Sequence, residues 1–424
     1  MADVGEVIVG LDIGTTKVTA VIGEVADNGV DIIGVGSHPS EGLRQGVVVN
    51  IEATTNSITA AVQEAEQMAA VDVQSVYVGI AGGHLRGFNS VGQVSMRNRE
   101  VAEDDVARVI GQAKAVNIPL DRRIIHTLPL EYIIDGQTQI RDPIGMSGVR
   151  MEVRAHIITA AVASVQNLIK CCNRADLDVV DIAVEPLASS LAVLHQDERD
   201  LGVVLLDLGG GTTDIAVYAE GTNVFTAVIV MGGHRVTQDI AHGLRTSVAE
   251  SENIKLRHGC ALLSMIEKDE TLEVPGVGPR PPRPFQRRFL AEIIEPRVEE
   301  ILLLAQQELA ASGHLESAAS GVVLTGGACQ MEGVCEMAED VFQMPARRAS
   351  PVVGATAGDR ALGLTEGGFA GVIQDPRYAT SVGLVLYGAR ADPLEGAHFE
   401  VGGPKPEIRR GRTRRFFDRV RGIF

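Results

Sequence analysis

Short apolar runs, such as VIVGLDI from Val7 and VVLLDL from Val203, alternate along the chain with longer stretches whose apolar residues recur at helical spacing. Near-continuous apolar runs predict strands buried on both faces, and the longer stretches predict helices packed over them, which specifies an α/β protein. The pattern also repeats itself. Val7 to Glu24 (VIVGLDIGTTKVTAVIGE) and Val203 to Glu220 (VVLLDLGGGTTDIAVYAE) each read as apolar strand, Asp, glycine turn with paired Thr, and apolar strand. One hairpin design used twice predicts two lobes of related architecture. Between the copies, Gly83 to His156 has its own helix, expected over Ala102 to Val116, and several short strands, and reads as an inserted module. A helical insert follows from His234 to about Ser320, interrupted by Glu273 to Arg288, whose prolines predict irregular chain rather than core structure. Beyond Ala391 the composition shifts to Gly, Pro and charge, the signature of a linker.

The hairpins carry the candidate chemistry. Glycines at the turns, Gly14 in the first and Gly209, Gly210 and Gly211 in the second, let backbone amides approach phosphate oxygens. Thr15, Thr16, Thr212 and Thr213 add hydroxyl donors, and Lys17 a point charge. Asp12 and Asp207 end their strands where they would hold Mg²⁺ through its waters, with Asp214 as a third carboxylate. Either hairpin alone reads equally as an ordinary glycine turn; two matched copies favour the phosphate reading. Two further glycine pairs follow strands. Gly326 and Gly327, in GVVLTGGACQMEGV, would let a nucleotide lie against backbone, and Gly232 and Gly233 precede a helix whose N-terminus favours an anion.

Composition narrows the function classes. At 424 residues the chain exceeds one compact core. Its five cysteines have neither zinc-ligand spacing nor the density of a disulfide-stapled secreted chain, which fits a reducing cytosol. The N-terminus lacks a basic leader region, and no apolar run reaches the roughly 18 residues of a spanning helix. A formal charge of -17 argues against nucleic acid as the main partner. Residues 405–424 depart from that balance, with eight Lys and Arg against two acids. On a helix with about 100° between residues, Phe416, Phe417, Val420, Ile423 and Phe424 share an arc of about 120°, while Arg412, Arg414, Arg415, Arg419 and Arg421 lie outside it. That is the pattern of an interfacial helix, aromatic and aliphatic residues in the acyl boundary and arginines at anionic headgroups.

The order of these segments resembles the ATPase superfamily of actin, the heat-shock chaperones and the sugar kinases. The resemblance implies ATP and Mg²⁺ as cofactors and a two-lobed actin-like fold. It makes VEPLASSLAVL (Val184 to Leu194) the first connecting helix and GATAGDRALG (Gly354 to Gly363) the second. Asp12, Glu185 and Asp207 become the catalytic candidates, Glu185 matching the position that orients the attacking water in relatives; a helix N-terminal acid held by the dipole is the alternative. Glu252 and Lys255, in SENIK, match residues that contact ribose and adenine, and also read as a surface ion pair.

Within the superfamily the whole chain resembles the FtsA family of bacterial division proteins, through DIGTTKV, SVYVGIAGGHLRGFNS, DLGGGTTDIAVY, MGGHRVTQDIA, VPGVGPRPPR, IIEPRVEEIL, VLTGGACQMEGV and the basic tail. The resemblance divides the chain into a first lobe (1–84, 158–202, 364–391) with an inserted module (85–157), and a second lobe (203–233, 321–363) with an insert (234–320). A linker (392–411) and an amphipathic membrane helix (412–424) complete it. It implies a protein on the cytoplasmic face of the inner membrane that polymerises and contacts later division proteins through the module. It would tether FtsZ, whose C-terminal tail would bind near Arg297 and Glu300. Weak ATPase activity is left open. A pilus-assembly adaptor of related type and a small-molecule kinase are the rival readings; the kinase has no use for the tail.

Overall fold

The computed structural model describes residues 5–390 apart from 28, 268, 277, 279, 353–362 and 366. The chain begins with strands β1 (Val7–Ile13), β2 (Lys17–Ala26) and β3 (Gly29–Pro39), a small pair β4 (Leu43–Arg44) and β5 (Val47–Val48), helix α1 (Ile51–Ala69) and β6 (Ser75–Ile80). It then builds β7 (Arg86–Ser95), α2 (Glu103–Lys114), β8 (Arg122–Ile134), β9 (Gln137–Ile140) and β10 (Arg150–Ala161), followed by α3 (Val162–Arg174), β11 (Asp178–Val184), α4 (Glu185–Val193) and α5 (Gln196–Leu201). The second half runs through β12 (Val203–Leu208), β13 (Thr213–Ala219), β14 (Thr222–Ile229), α6 (Gly233–Leu244), α7 (Val248–His258), β15 (Thr271–Val274) and β16 (Arg283–Gln286). It ends with α8 (Arg287–Ser312), β17 (Val322–Thr325), α9 (Val334–Phe342), β18 (Ala346–Arg348) and α10 (Ala379–Gly388).

Two five-stranded sheets form the lobes, in the order β11-β6-β1-β2-β3 and β14-β13-β12-β17-β18, each with a glycine hairpin at its centre. The architecture is the mixed α/β fold of two related lobes that the repeat predicts. Side-chain alternation along β12 divides the cores: Val203 and Leu205 join the apolar cluster of the first sheet, while Val204, Leu206 and Leu208 face the second lobe's own core. Between the sheets lie α4 and α10, both buried almost throughout. The intervening β7-β10-β8-β9 sheet has its own core beneath α2, built on Val109, Ile110, Met151 and Val153.

One expectation needs correction. The proline-dense stretch is not irregular throughout: β15 pairs with β16 across it, Glu273 opposite Pro284, and Val274 is fully buried. Proline is tolerated there because a two-stranded ribbon has only edges. The described partner of α4 is α10; the segment expected as the second connecting helix, from Gly354, lies outside the described residues except for Gly363. A β-carbon on Gly383 would meet the Ala188 carbonyl oxygen at 1.9 Å, and one on Gly10 the Ser381 oxygen at 2.3 Å, so glycine brings α10 against both α4 and β1.

Candidate functional site

The two hairpins meet tip to tip. In the first, Asp12 lies opposite Thr19 and Ile13 opposite Val18, leaving Gly14, Thr15 and Thr16 to turn; in the second, Asp207 lies opposite Asp214. A β-carbon on Gly210 would fall 2.3 Å from the Thr16 methyl, and one on Gly211 2.5 Å from Thr15 Oγ1. Only glycine at 210 and 211 lets the lobes close this far. Gly209 tightens the second turn, its amide donating to Thr212 O at 3.0 Å, and Thr213 Oγ1 donates to Met231 O. The first amides of α6 are engaged as well: Gly233 donates to Gly209 O at 2.9 Å and His234 to Gly210 O at 2.8 Å. Gly232 and Gly233 therefore seat α6 on the hairpin, and a β-carbon on Gly232 would strike three hairpin carbonyls.

Four carboxylates gather below the tips. Asp12, Asp207 and Asp214 are buried, and Glu185 opens α4 beside them. Burial, countered by Lys17 and reinforced by Asp207, pushes the Asp12 pKa up to about 6. Burial and the neighbouring carboxylates drive Glu185 and Asp214 well above the carboxylate range. Asp207 is raised by burial against the pull of Ser189 Oγ, which donates to its Oδ2 at 2.7 Å, and of Thr380 Oγ1 at 3.2 Å. The facing cation is Lys17. Its Nζ donates to Thr19 Oγ1 at 2.9 Å and Arg377 O at 2.7 Å, and lies 4.7 Å from the Tyr378 ring centre. Burial lowers its pKa, which Asp12 partly restores. Mutually repelling carboxylates, with Asp214 Oδ1 buried and without a partner, fit a hydrated divalent cation that would relieve them. Among the described residues no three acids, histidines or cysteines converge for direct ligation, so Asp12, Asp207 and Asp214 suit contact through water.

The second lobe supplies the far wall. Lys255, only 8% exposed, donates to Gly233 O at 3.1 Å, Thr237 Oγ1 at 2.9 Å and Glu252 Oε2 at 2.8 Å, so its buried end ties α7 to the start of α6 while the Glu252 side chain stays 39% exposed. Gly326, at φ +84°, passes so close to Asp207 that a β-carbon would meet its Oδ1 at 2.3 Å, and Gly327 lies beside Arg377. An apolar pocket lined by Leu208, Val236, Ile301, Ala328 and Met331 opens next to Gly232 and Gly233.

Sequence reasoning missed Ser189 and Thr380 as partners of Asp207. It also missed the segment Asp375–Tyr378, which joins the lobes: Arg377 O accepts from Lys17, Pro376 O from Thr325 Oγ1 at 3.4 Å, and Asp375 Oδ1 from Gln330 at 3.0 Å. No local signal marks them, since Ser189 is 18 residues from Asp207 and the other contacts span 45 or more. Arg297 is engaged, not free. It ion-pairs with Asp239 of α6 at 2.5 Å and with Glu300 one turn along α8. The membrane residues Arg412, Arg414–Phe417, Arg419–Arg421, Ile423 and Phe424 lie outside the described residues, as does the linker from 392. No described helix is long and apolar enough to cross a membrane.

Comparison with known proteins places this geometry among relatives. The family described as cell division protein FtsA matches residues 204–383, and an SHS2 domain inserted in FtsA matches residues 82–159. The cell division protein FtsA of Pseudomonas aeruginosa is 48% identical over 400 residues, covering 94% of this chain and 93% of the relative. That of Escherichia coli K12 is 43% identical over 90% of each chain, and that of Bacillus subtilis 39% identical over 95% of this chain and 87% of its own. Among solved structures, the PilM-PilN type IV pilus biogenesis complex aligns with TM-score 0.63 at 18% identity over 90% of this chain and 98% of the other. MreB5 of Spiroplasma citri bound to ADP aligns with TM-score 0.54 at 14% identity over 91% and 97%. These two share the fold, that of the actin-like ATPases.

Proposed function

Since the chain belongs to the FtsA family of cell division proteins, we propose that it binds Mg-ATP between its lobes, assembles on the inner face of the cytoplasmic membrane, and tethers FtsZ filaments there. The tip-to-tip hairpins above four clustered carboxylates carry the nucleotide part of this reading. Backbone amides of Gly14, Gly210 and Gly211, with the hydroxyls of Thr15, Thr16 and Thr212, would cradle the phosphates while Gly209 and Thr213 hold the turn, and Lys17 would exchange its Arg377 carbonyl partner for a phosphate oxygen. Asp12, Asp207 and Asp214 would hold the waters of Mg²⁺, whose charge neutralises the phosphates when bound. Glu185, with its raised pKa, would orient a water and accept its proton in any slow turnover. Gly326 and Gly327 would let the nucleoside lie against backbone, with Glu252 and Lys255 beyond it.

Nucleotide bound to both hairpins would hold the lobes in one closed relation, the condition for head-to-tail stacking into an open filament. The FtsZ tail would bind on the second-lobe insert near Arg297 and Glu300, later division proteins on the module at 85–157, and anionic lipids along the helix expected at 412–424. Co-sedimentation with FtsZ and anionic liposomes, with and without the last thirteen residues, tests this. The full chain should carry FtsZ to the liposomes and the truncated chain should not; equal recovery would sink the tether.

A further inference from the structure

A second cluster of polar side chains lies where β6 passes into the insert, and the nucleotide reading does not use it. The loop after β6 turns at Gly82, φ +122°, beneath the His84 ring, where a β-carbon would fall 2.9 Å from Nδ1. Both ring nitrogens of His84 are closed off from solvent and have no hydrogen-bond partner among the described residues. Arg122, at the start of β8, reaches over the loop: Nη2 donates to His84 O and Thr159 O, each at 2.9 Å, and Nε to Thr159 Oγ1 at 3.1 Å. Arg86 Nη1 donates to Gly83 O at 2.8 Å and Leu85 O at 2.7 Å. Among the described residues, neither guanidinium has a carboxylate partner; their bonds go to backbone and to one hydroxyl.

Two arginines and a histidine thus face one another with no carboxylate bonded to either guanidinium among the described residues. Burial, Arg122 and Arg86 together hold the His84 pKa down near 4, and burial followed by Arg86 depresses Arg122, with Asp121 opposing. Arg86 is exposed and Arg122 half-buried, so the unmet demand lies in the His84 ring, whose two nitrogens are closed off from water without a partner, a cost that a ligand would relieve. We infer that this junction is a binding site for a tetrahedral oxyanion of the phosphate class, held between the Arg86 and Arg122 guanidiniums and the His84 ring. Two forked guanidiniums and an imidazole offer donors from separate directions, which suits a tetrahedral anion better than a planar carboxylate. Three parts of the molecule meet here. Gln45 O covers Gly82, a β-carbon on Gly83 would meet the Val230 side chain of the second lobe at 2.5 Å, and β7 and β8 leave into the insert. An occupant would therefore tie the insert to both lobes.

Gly46, beside this loop, donates to Thr15 Oγ1 at 3.2 Å, so phosphate bound here has to be separated from phosphate bound in the neighbouring nucleotide cleft. The test titrates inorganic phosphate into the full chain at constant ionic strength, following the His84 ring by ¹H–¹⁵N correlation with His84→Gln as the assignment control. A saturable shift in phosphate, absent in chloride and retained after loading with a non-hydrolysable Mg-nucleotide, supports a separate site. Arg86→Gln should weaken phosphate at least tenfold with the melting temperature unchanged, and Arg86→Lys should recover part of the affinity. No saturable shift, an equal response to chloride, abolition by nucleotide, or unchanged affinity in Arg86→Gln would each overturn the site.

Discussion

Gly383 and Ala188 touch backbone to backbone: a methyl group at 383 would lie 1.9 Å from the Ala188 carbonyl oxygen. This crossing of α10 on α4 is what places Ser189 and Thr380 side by side, 3.0 Å between their hydroxyl oxygens, both on Asp207. A packing contact between small residues thereby sets the position of a carboxylate in the second hairpin.

Gly383→Ala should accordingly cost stability, because the helices cannot separate without disturbing both sheets. Overpacking of this kind costs about 1–3 kcal/mol. Urea unfolding should show a lower midpoint at unchanged slope, and Mg-nucleotide affinity should fall as the Asp207 contacts loosen. An unaltered midpoint would mean the crossing yields freely.

Asp207→Ala should weaken Mg-nucleotide binding at least tenfold while metal-free nucleotide binding changes little, since the lost carboxylate acts on the ion's waters. Titrating nucleotide with and without Mg²⁺ measures both. If the Mg-dependent gain survives in a folded variant, Asp207 does not belong to the site.

Asp12 gives the site a pH dependence whose sign follows from its raised pKa, about 6 against the ordinary 3.8. Between those values the folded chain binds more protons than the unfolded one, so this group's contribution to stability is fully present below 3.8 and is lost as pH rises through 6. Cation binding needs the ionised form, so Mg-nucleotide affinity should climb as pH passes 6 and then level off. Asp12→Asn should flatten that rise. A wild-type affinity independent of pH between 5 and 7 would contradict the assignment.

Arg297→Glu should weaken binding of an FtsZ tail peptide while nucleotide affinity survives, because the Arg297 side chain pairs with Asp239 and Glu300 and with no residue of the hairpin turns. The substitution also breaks the ion pair with Asp239, so Asp239→Asn serves as the control for a merely loosened α6–α8 contact. Peptide affinity lost in Arg297→Glu and kept in Asp239→Asn supports a direct contact; equal loss in both assigns Arg297 to structure.

Phe417→Glu puts a charge inside the apolar arc of the tail and should release the protein from anionic liposomes. The short helix proposed for 412–424 would bind weakly by itself, so wild-type flotation should rise with protein concentration if the chain assembles, avidity adding roughly 10²–10⁴. Higher salt should weaken it. Equal flotation of variant and wild type would remove the anchor; concentration-independent flotation by wild type would remove the avidity alone.

Much of the fold was legible because it is encoded locally. A strand, a glycine turn and a second strand form within about eighteen residues, so both hairpins and their kinship could be read from two segments, and with them Asp12, Asp207, Lys17 and the turn threonines. The helix in the insert was visible from its spacing alone, and was found at Glu103–Lys114. What required the tertiary structure was every relation across the chain. Ala379 to Gly388 is rich in small residues, and only the path of the chain puts it on α4. Gly232 and Gly233 look free for an anion in sequence, yet the folded hairpin takes the amides at the start of α6. Arg297 reads as an exposed helix charge until α6 brings Asp239 to it, and His84 and Arg122 share no motif. Local periodicity determines which elements form and which face each buries. Which distant side chains then meet depends on strand order, register and helix crossing, and those are settled only when the sheets pack together.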